Sequence, residues 1–242
     1  MLKQTSDGIW QSSLLLSAKG IVHGYSSRHL GDMRKREPKA AFCSLLKLKT
    51  SQLVQPEQIH SNTIGVVGDN GGNIVAGVDG LVYKGKAPIV LGILVADCVP
   101  ILAVDPATSI VGVAHAGWKG TLGNIAKNLI DTMKKVGADD KRVLVSIGPH
   151  IGMCCYSVPK DRADQFAQAF NNDTRVISRL DGQMHLDLGY ANMRQLLGAG
   201  IPADHIDVAV SCTSCQVDTF YSFRKDTQET FGEILGVIGF GV

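Results

Sequence analysis

The chain has no run of five or more basic residues, and its net charge over 242 residues is +2. A nucleic-acid partner is therefore not expected. The opening Met-Leu-Lys-Gln-Thr-Ser-Asp-Gly lacks the apolar core of a secretory signal. The most apolar stretch, Pro88 to Val104, is broken by Asp97 and Pro100, so it reads as strands and no membrane partner is expected. There is no internal repeat, no low-complexity segment and no linker, which leaves one domain over 1–242. The six cysteines are unevenly spaced. With nothing marking secretion, reduced thiols and a cytoplasmic location are expected. The seven histidines contain no His-x-His pair and no HExxH, so a compact metal motif is missing.

What is present is an ordinary globular balance, 45% hydrophobic and 19% charged, with ample material for a core. The chain is organised around Pro88–Gly120. Three apolar runs follow one another there: Pro88–Ala96, Ile101–Val104 and Ile110–Ala114. Such runs, rich in β-branched residues and Leu, suit strands covered on both faces. Cys98 and His115 stand where the first and third runs end, at rigid positions beside open loops.

Around this centre the pattern predicts a helix over Lys39–Lys49, strands at Thr63–Val67 and Val78–Tyr83, and a turn at Gly68–Gly72. Leu122, Ile125, Leu129, Met133 and Val136 form one apolar stripe, predicting a helix over Thr121–Val136 with Thr121 as its N-cap. Further helices are expected at Asp161–Phe170 and Ala191–Ala199. Val176–Leu180 and Met184–Leu188 read as a hairpin across Asp181-Gly182. Phe220–Arg224 and Ile234–Phe240 read as strands, and Trp10 with Leu14–Leu16 as an edge strand. The resulting fold class is α/β (α+β): a single domain with a mixed central β-sheet and flanking helices.

Three side chains suit one chemistry. His60, Cys98 and His115 each end or follow a strand, and imidazole with thiolate is a zinc donor set. Three protein ligands leave a tetrahedral ion one position short, the mark of a catalytic centre. Copper fits the same ligand types. Without metal, Cys98 could serve as a nucleophile activated by His115. The plainest alternative makes Cys98 a buried apolar side chain and both histidines hydrogen-bonded structural groups.

Local motifs narrow the choice. Gln58-Ile-His60-Ser61, Val95-Ala-Asp97-Cys98-Val-Pro-Ile, His115-Ala-Gly-Trp118-Lys-Gly and Ile147-Gly-Pro-His-Ile-Gly-Met-Cys-Cys155-Tyr resemble the YfiH/laccase-domain family. Its members are also called multicopper polyphenol oxidase-like or peptidoglycan editing factor proteins. The likeness continues through His23-Gly-Tyr-Ser-Ser-Arg28, Leu186-Asp-Leu, Cys212-Thr-Ser-Cys215 and Phe220-Tyr-Ser-Phe-Arg224.

The resemblance implies a YfiH-like (cytotoxic necrotizing factor-like) fold and a zinc ion on His60, Cys98 and His115, with Cys98 and His115 at the chemistry. It also implies phosphorolysis of adenosine, inosine and S-methyl-5′-thioadenosine, and deamination of adenosine. The partners would be a purine nucleoside and phosphate, in a monomer or weak homodimer. Copper-dependent laccase activity and a Cys-dependent role in editing peptidoglycan precursors are attached to the same family. Phosphate needs cations and N–H donors, for which Arg28, Lys119 and Arg224 are the candidates. Ser61, beside a ligand, could bond substrate.

Some positions depart from the pattern. Ser157 stands where the family prefers Glu, His150 where small residues or Cys are usual, and Leu30 where Gly is usual. Lys119 and Lys225 replace arginines, which weakens bidentate anion binding while keeping charge. The Arg expected after Lys225-Asp226 is missing. Cys154, Cys155, Cys212 and Cys215 would suffice for a structural zinc site. Adjacent cysteines are poor ligand pairs, however, so buried thiols are the expected reading, with Cys43 a core position on its helix.

Overall fold

The structure, a computed structural model, describes residues 1–69, 73–85 and 87–241. The expected turn at Gly68–Gly72 lies partly outside the described residues. No helix among them is long and apolar enough to cross a membrane.

The strand Val99–Asp105 is buried at every position. Its side chains alternate between two faces, and both faces are covered. It pairs antiparallel with Ile110–Ala116, which pairs in turn with Gly80–Lys84. The full order of this six-stranded sheet is Ile206–Val208, Leu144–Ile147, Val99–Asp105, Ile110–Ala116, Gly80–Lys84, Ile64–Val67. A seven-stranded sheet runs Leu2–Gln4, Trp10–Ser12, Ile21–Tyr25, Ile234–Phe240, Val90–Val95, Leu53–Pro56, Ile74–Val75. Both are mixed, with parallel pairs near their edges. The expected hairpin forms as Ile177–Leu180 and Gln183–Leu186, joined by Ser157–Val158 into a third, small sheet.

The two large sheets stack. Tyr25, Leu91 and Ile93 from one share a buried cluster with Leu102, Val104, Val111 and Val113 from the other. The alternate residues Ile101 and Ala103 face Leu129, Ile130 and Met133 of the helix Ile125–Lys135, and Leu196 of Leu188–Gly198. Beyond the seven-stranded sheet, Phe42 and Cys43 of the helix Arg36–Leu45 pack on Leu53, Leu235 and Val237. The layers are thus helix, sheet, sheet, helix. The α/β class holds, but the expected single central sheet is in fact two.

Three further expectations are corrected. The helix predicted from Thr121 is split into Trp118–Leu122 and Ile125–Lys135, with Asn124 left-handed at φ 63° between them. Thr121 is buried, and its carbonyl accepts Gln195 Nε2–H at 2.6 Å from the neighbouring helix. It is therefore a tie between helices and not an N-cap. Phe220–Arg224 forms no strand, because its N–H groups go to carboxylates: Ser222 to Asp226 at 2.8 Å and Arg224 to Asp97 at 2.7 Å. Ser13–Leu16 is a helical turn following the strand Trp10–Ser12.

Candidate metal centre

The site arises where the chain leaves one sheet for the other. Val90–Val95 belongs to the seven-stranded sheet and Val99–Asp105 to the six-stranded one, so residues 96–98 make the crossing. Asp97 turns the chain at φ 80°, a conformation that Asp tolerates better than most residues. Its carboxylate is the anchor of the crossing. Oδ1 accepts Thr213 Oγ–H at 2.6 Å, and Oδ2 accepts Ser222 Oγ–H at 3.0 Å and the Arg224 N–H. Its carbonyl takes Ile151 N–H at 3.0 Å. Cys98 is thereby fixed at the sheet junction.

His115 comes from within the strand Ile110–Ala116, opposite Pro100. His60 sits on the loop after Leu53–Pro56 at φ 60°, and Gln58 before it is also left-handed at φ 62°. Gln58 makes this shape possible by exchanging two side-chain hydrogen bonds with the Leu94 backbone, at 2.7 and 2.9 Å. The three predicted residues converge: one donor atom from each of His60, Cys98 and His115 lies within 4.8 Å of the others. The two imidazoles meet edge to face, with ring centres 4.9 Å apart. A Cβ added at Gly117 would stand 3.2 Å from Cys98 Sγ and 3.3 Å from His60 Nδ1, so any larger residue there would press on both donors by a few tenths of an ångström.

Asp79 holds this arrangement, although in the sequence it is only one position in the strand expected at Val78–Tyr83. It is fully buried. Oδ1 lies 2.9 Å from His115 Nδ1 and accepts His60 N–H at 2.9 Å. Oδ2 accepts the Ser61 N–H and Oγ–H at 2.6 and 2.7 Å. Burial pushes Asp79 up, but these donors outweigh it and bring its pKa to about 2. For His115, burial pulls downward, while Cys98 and Asp79 outweigh it and lift the imidazole to about 10. His60 is held low by burial and by the charge of His115. With Nδ1 committed to Asp79, Nε2 is the nitrogen His115 has left for a metal. Two imidazoles and a thiolate fit zinc and copper alike.

The trio opens into a cavity of about 520 Å³. Lys119 and Arg224 line it, joined by Arg162, Tyr156 and Glu233, which were not among the candidates. Arg162 lies over the Trp118 ring at 4.1 Å. Arg224 donates to the Ser157 carbonyl and hydroxyl at 3.0 and 3.2 Å, so Ser157 holds this cation. Two other candidates stand outside the lining. Arg28 is bidentate to Asp226, both contacts 2.6 Å, and lies over the Tyr221 ring. Ser61 is tied to Asp79. His150 is buried and bonded to the Gly148 carbonyl at 2.8 Å, a structural loop histidine. Arg162 and Glu233 left no sequence signal, being single charges on a helix and at a strand's edge.

Fold and site together define a class: a layered α/β domain whose two sheets meet at a candidate His-Cys-His centre. The chain belongs to the family described as multi-copper polyphenol oxidoreductase laccase, whose profile matches residues 26–241. It is 42% identical over 170 residues to purine nucleoside phosphorylase YlmD of Geobacillus stearothermophilus, covering 68% of this chain and 61% of that relative's length. Adenosine deaminase RL5, from an unknown prokaryotic organism, is 35% identical over 209 residues, covering 81% of this chain and 79% of that one. The crystal structure of YlmD from Geobacillus stearothermophilus superposes with a TM-score of 0.88 at 30% identity, covering 100% of this chain and 99% of that one. The Bacillus licheniformis hypothetical protein YfiH gives 0.87 at 26%, covering 99% and 98%.

Proposed function

We propose that the chain is a purine nucleoside enzyme, cleaving adenosine, inosine and S-methyl-5′-thioadenosine with phosphate and deaminating adenosine. The observation that carries this reading is the convergence of His60, Cys98 and His115 in a cavity walled by aromatic and cationic side chains. Its volume, about 520 Å³, is within the range of small-molecule sites. Relatives named as a purine nucleoside phosphorylase and an adenosine deaminase support it.

His60, Cys98 and His115 would hold one zinc ion, which supplies Lewis acidity and draws the pKa of bound water toward about 7. The other steps fall to the chain's own groups. Trp118, Tyr156 and Phe223 supply the aromatic lining against which a purine base would pack. Lys119, Arg162 and Arg224 place positive charge where a phosphate would sit. In phosphorolysis a phosphate oxygen bonds to C1′ as the C1′–N9 bond breaks, and the electron pair leaves with the base, which takes up a proton. Glu233, which lines the cavity with its carboxyl pushed up by burial, is the candidate donor. In deamination a water oxygen bonds to C6 and ammonia departs with the displaced protons.

A second reading uses the order Asp79, His115, Cys98, in which Asp79 bonds His115 and the Cys98 sulfur lies within 4.8 Å of the imidazole, the arrangement of a cysteine hydrolase. It gives His60 no role. The copper oxidase reading has less support. Among the described residues, the two groups of metal-binding side chains hold at most two histidines each, and a multicopper centre needs many.

The test is product analysis of purified chain with adenosine and phosphate. Adenine with ribose 1-phosphate, or inosine, is expected, lost on chelation and restored by zinc. Absence of both products from zinc-loaded protein would sink the proposal. Turnover of a peptidoglycan precursor that survives chelation would favour the hydrolase.

A further inference from the structure

A second cluster forms from two loops far apart in sequence, one of which carries the cavity-lining Ile151 and Tyr156. The segment after Leu144–Ile147 carries Cys154 and Cys155, and the segment after Ile206–Val208 carries Cys212 and Cys215. The loops are laid side by side by a parallel bridge between His150 and Cys212 and by Thr213 N–H to the His150 carbonyl at 3.0 Å. All four cysteines are free thiols. Contrary to the sequence expectation they are not buried: Cys154 and Cys215 are exposed, Cys155 and Cys212 half-buried.

The four sulfurs lie within 4.8 Å of one another. Cys215 Sγ stands 3.4 Å from Cys155 Sγ and 3.6 Å from Cys154 Sγ. These separations exceed a disulfide bond, about 2.05 Å, by well over an ångström. They also place Cys215 between two neighbours, Cys154 and Cys155, as a shared ion would. A tetrahedral ion with metal–sulfur distances of about 2.3 Å sets its four sulfurs about 3.8 Å apart, close to what is found here. Iron–sulfur clusters divide their cysteines among several irons and spread them more widely. The adjacency of Cys154 and Cys155 is no obstacle here, because both approach Cys215. Gly152 N–H also points at Cys212 Sγ at 3.2 Å, the kind of backbone donor that orients a metal-bound thiolate.

We propose that Cys154, Cys155, Cys212 and Cys215 hold a zinc ion in a closed, structural tetrathiolate site, separate from the His60–Cys98–His115 centre. Four protein ligands leave no open position, so this ion does no chemistry. Its place gives it a mechanical role. One clamped loop carries Ile151 and Tyr156, which line the cavity. The other carries Thr213, whose hydroxyl holds Asp97 beside Cys98. The ion would thus fasten both walls of the pocket to the crossing that positions Cys98. The proposal stands whatever reaction the pocket performs.

The test is zinc content by plasma mass spectrometry after anaerobic purification without chelator. It compares wild type, His60→Ala/His115→Ala and Cys212→Ser/Cys215→Ser. The histidine variant is expected to keep about one zinc per chain, and the cysteine variant to lose that zinc. Cobalt-loaded histidine variant should show the intense near-ultraviolet sulfur-to-cobalt bands of a thiolate-rich site. Should the cysteine variant fail to fold, the histidine variant decides alone. A histidine variant without zinc whose thiols react with Ellman's reagent as free cysteines would overturn the proposal. So would a native disulfide between any of the four cysteines, seen by non-reducing peptide mapping.

Discussion

His115 Nδ1 lies 2.9 Å from Oδ1 of Asp79, a carboxyl with no exposed surface. That contact fixes the ring and leaves Nε2 for a ligand, while the same carboxylate gathers the loop bearing His60. Loss of such an outer partner typically lowers metal affinity about 10–100-fold. Asp79→Asn should therefore weaken zinc binding by about that factor, measured by competition with a chromogenic chelator. Unchanged affinity in a folded variant would remove Asp79 from the account.

Gly117 is the tightest point of the cradle. Gly117→Ala would set a methyl group 3.2 Å from Cys98 Sγ and 3.3 Å from His60 Nδ1. Its φ of −71° is open to any residue, so the backbone itself carries no strain. Metal content and turnover should fall at least about tenfold while the thermal midpoint of chelated protein moves little, since displacing a ligand by even a small distance is costly to catalysis. Equal activity in the variant would mean the three donors do not share an ion.

Thr213 reaches Asp97 across the cavity wall at 2.6 Å. Thr213→Val keeps the shape and removes a hydrogen bond to a carboxylate. A loss of about 1.5–3 kcal/mol is expected by urea unfolding, with a raised KM for nucleoside because Cys98 and the Arg224 segment share that anchor. A variant as stable as wild type would show that Ser222 and the Arg224 N–H suffice.

His23 predicts how stability depends on pH. It is fully buried and accepts Ser12 N–H at 2.9 Å. Burial lowers its pKa to about 4 from 6.5, opposed by the charge of Asp207, while the Ser12 N–H, which only a neutral ring nitrogen can accept, also favours the uncharged ring. Between those values the unfolded chain binds more protons than the folded one, so this contribution is complete above 6.5 and falls away as pH drops toward 4. From pH 7.5 to 5 it amounts to about 2 kcal/mol. Urea midpoints at both pH values should draw together by that amount in His23→Gln relative to wild type. An unchanged pH slope would count against a neutral buried imidazole.

The sequence made the buried strands and the three donors legible, because apolar runs and motif residues are local signals. It did not reveal that Val90–Val95 and Val99–Asp105 lie in different sheets, since both are continuous apolar runs and register is a long-range choice. Arg28 read as a free cation because its partner, Asp226, is 198 residues away. The helix break lies at the left-handed Asn124, beside a Thr121 carbonyl that Gln195 also reaches, features no stripe of apolar residues announces. The four cysteines looked unpromising as two unlike pairs, and it is the pairing of their loops, at the bridge between His150 and Cys212 and at Thr213, that unites them.

The most direct test of the account is adenosine turnover in phosphate by Cys98→Ala beside wild type, each with its bound zinc counted. The account predicts that the variant lacks about one zinc per chain relative to wild type and loses at least about a thousandfold in kcat/KM. A variant that turns over adenosine at the wild-type rate would contradict it.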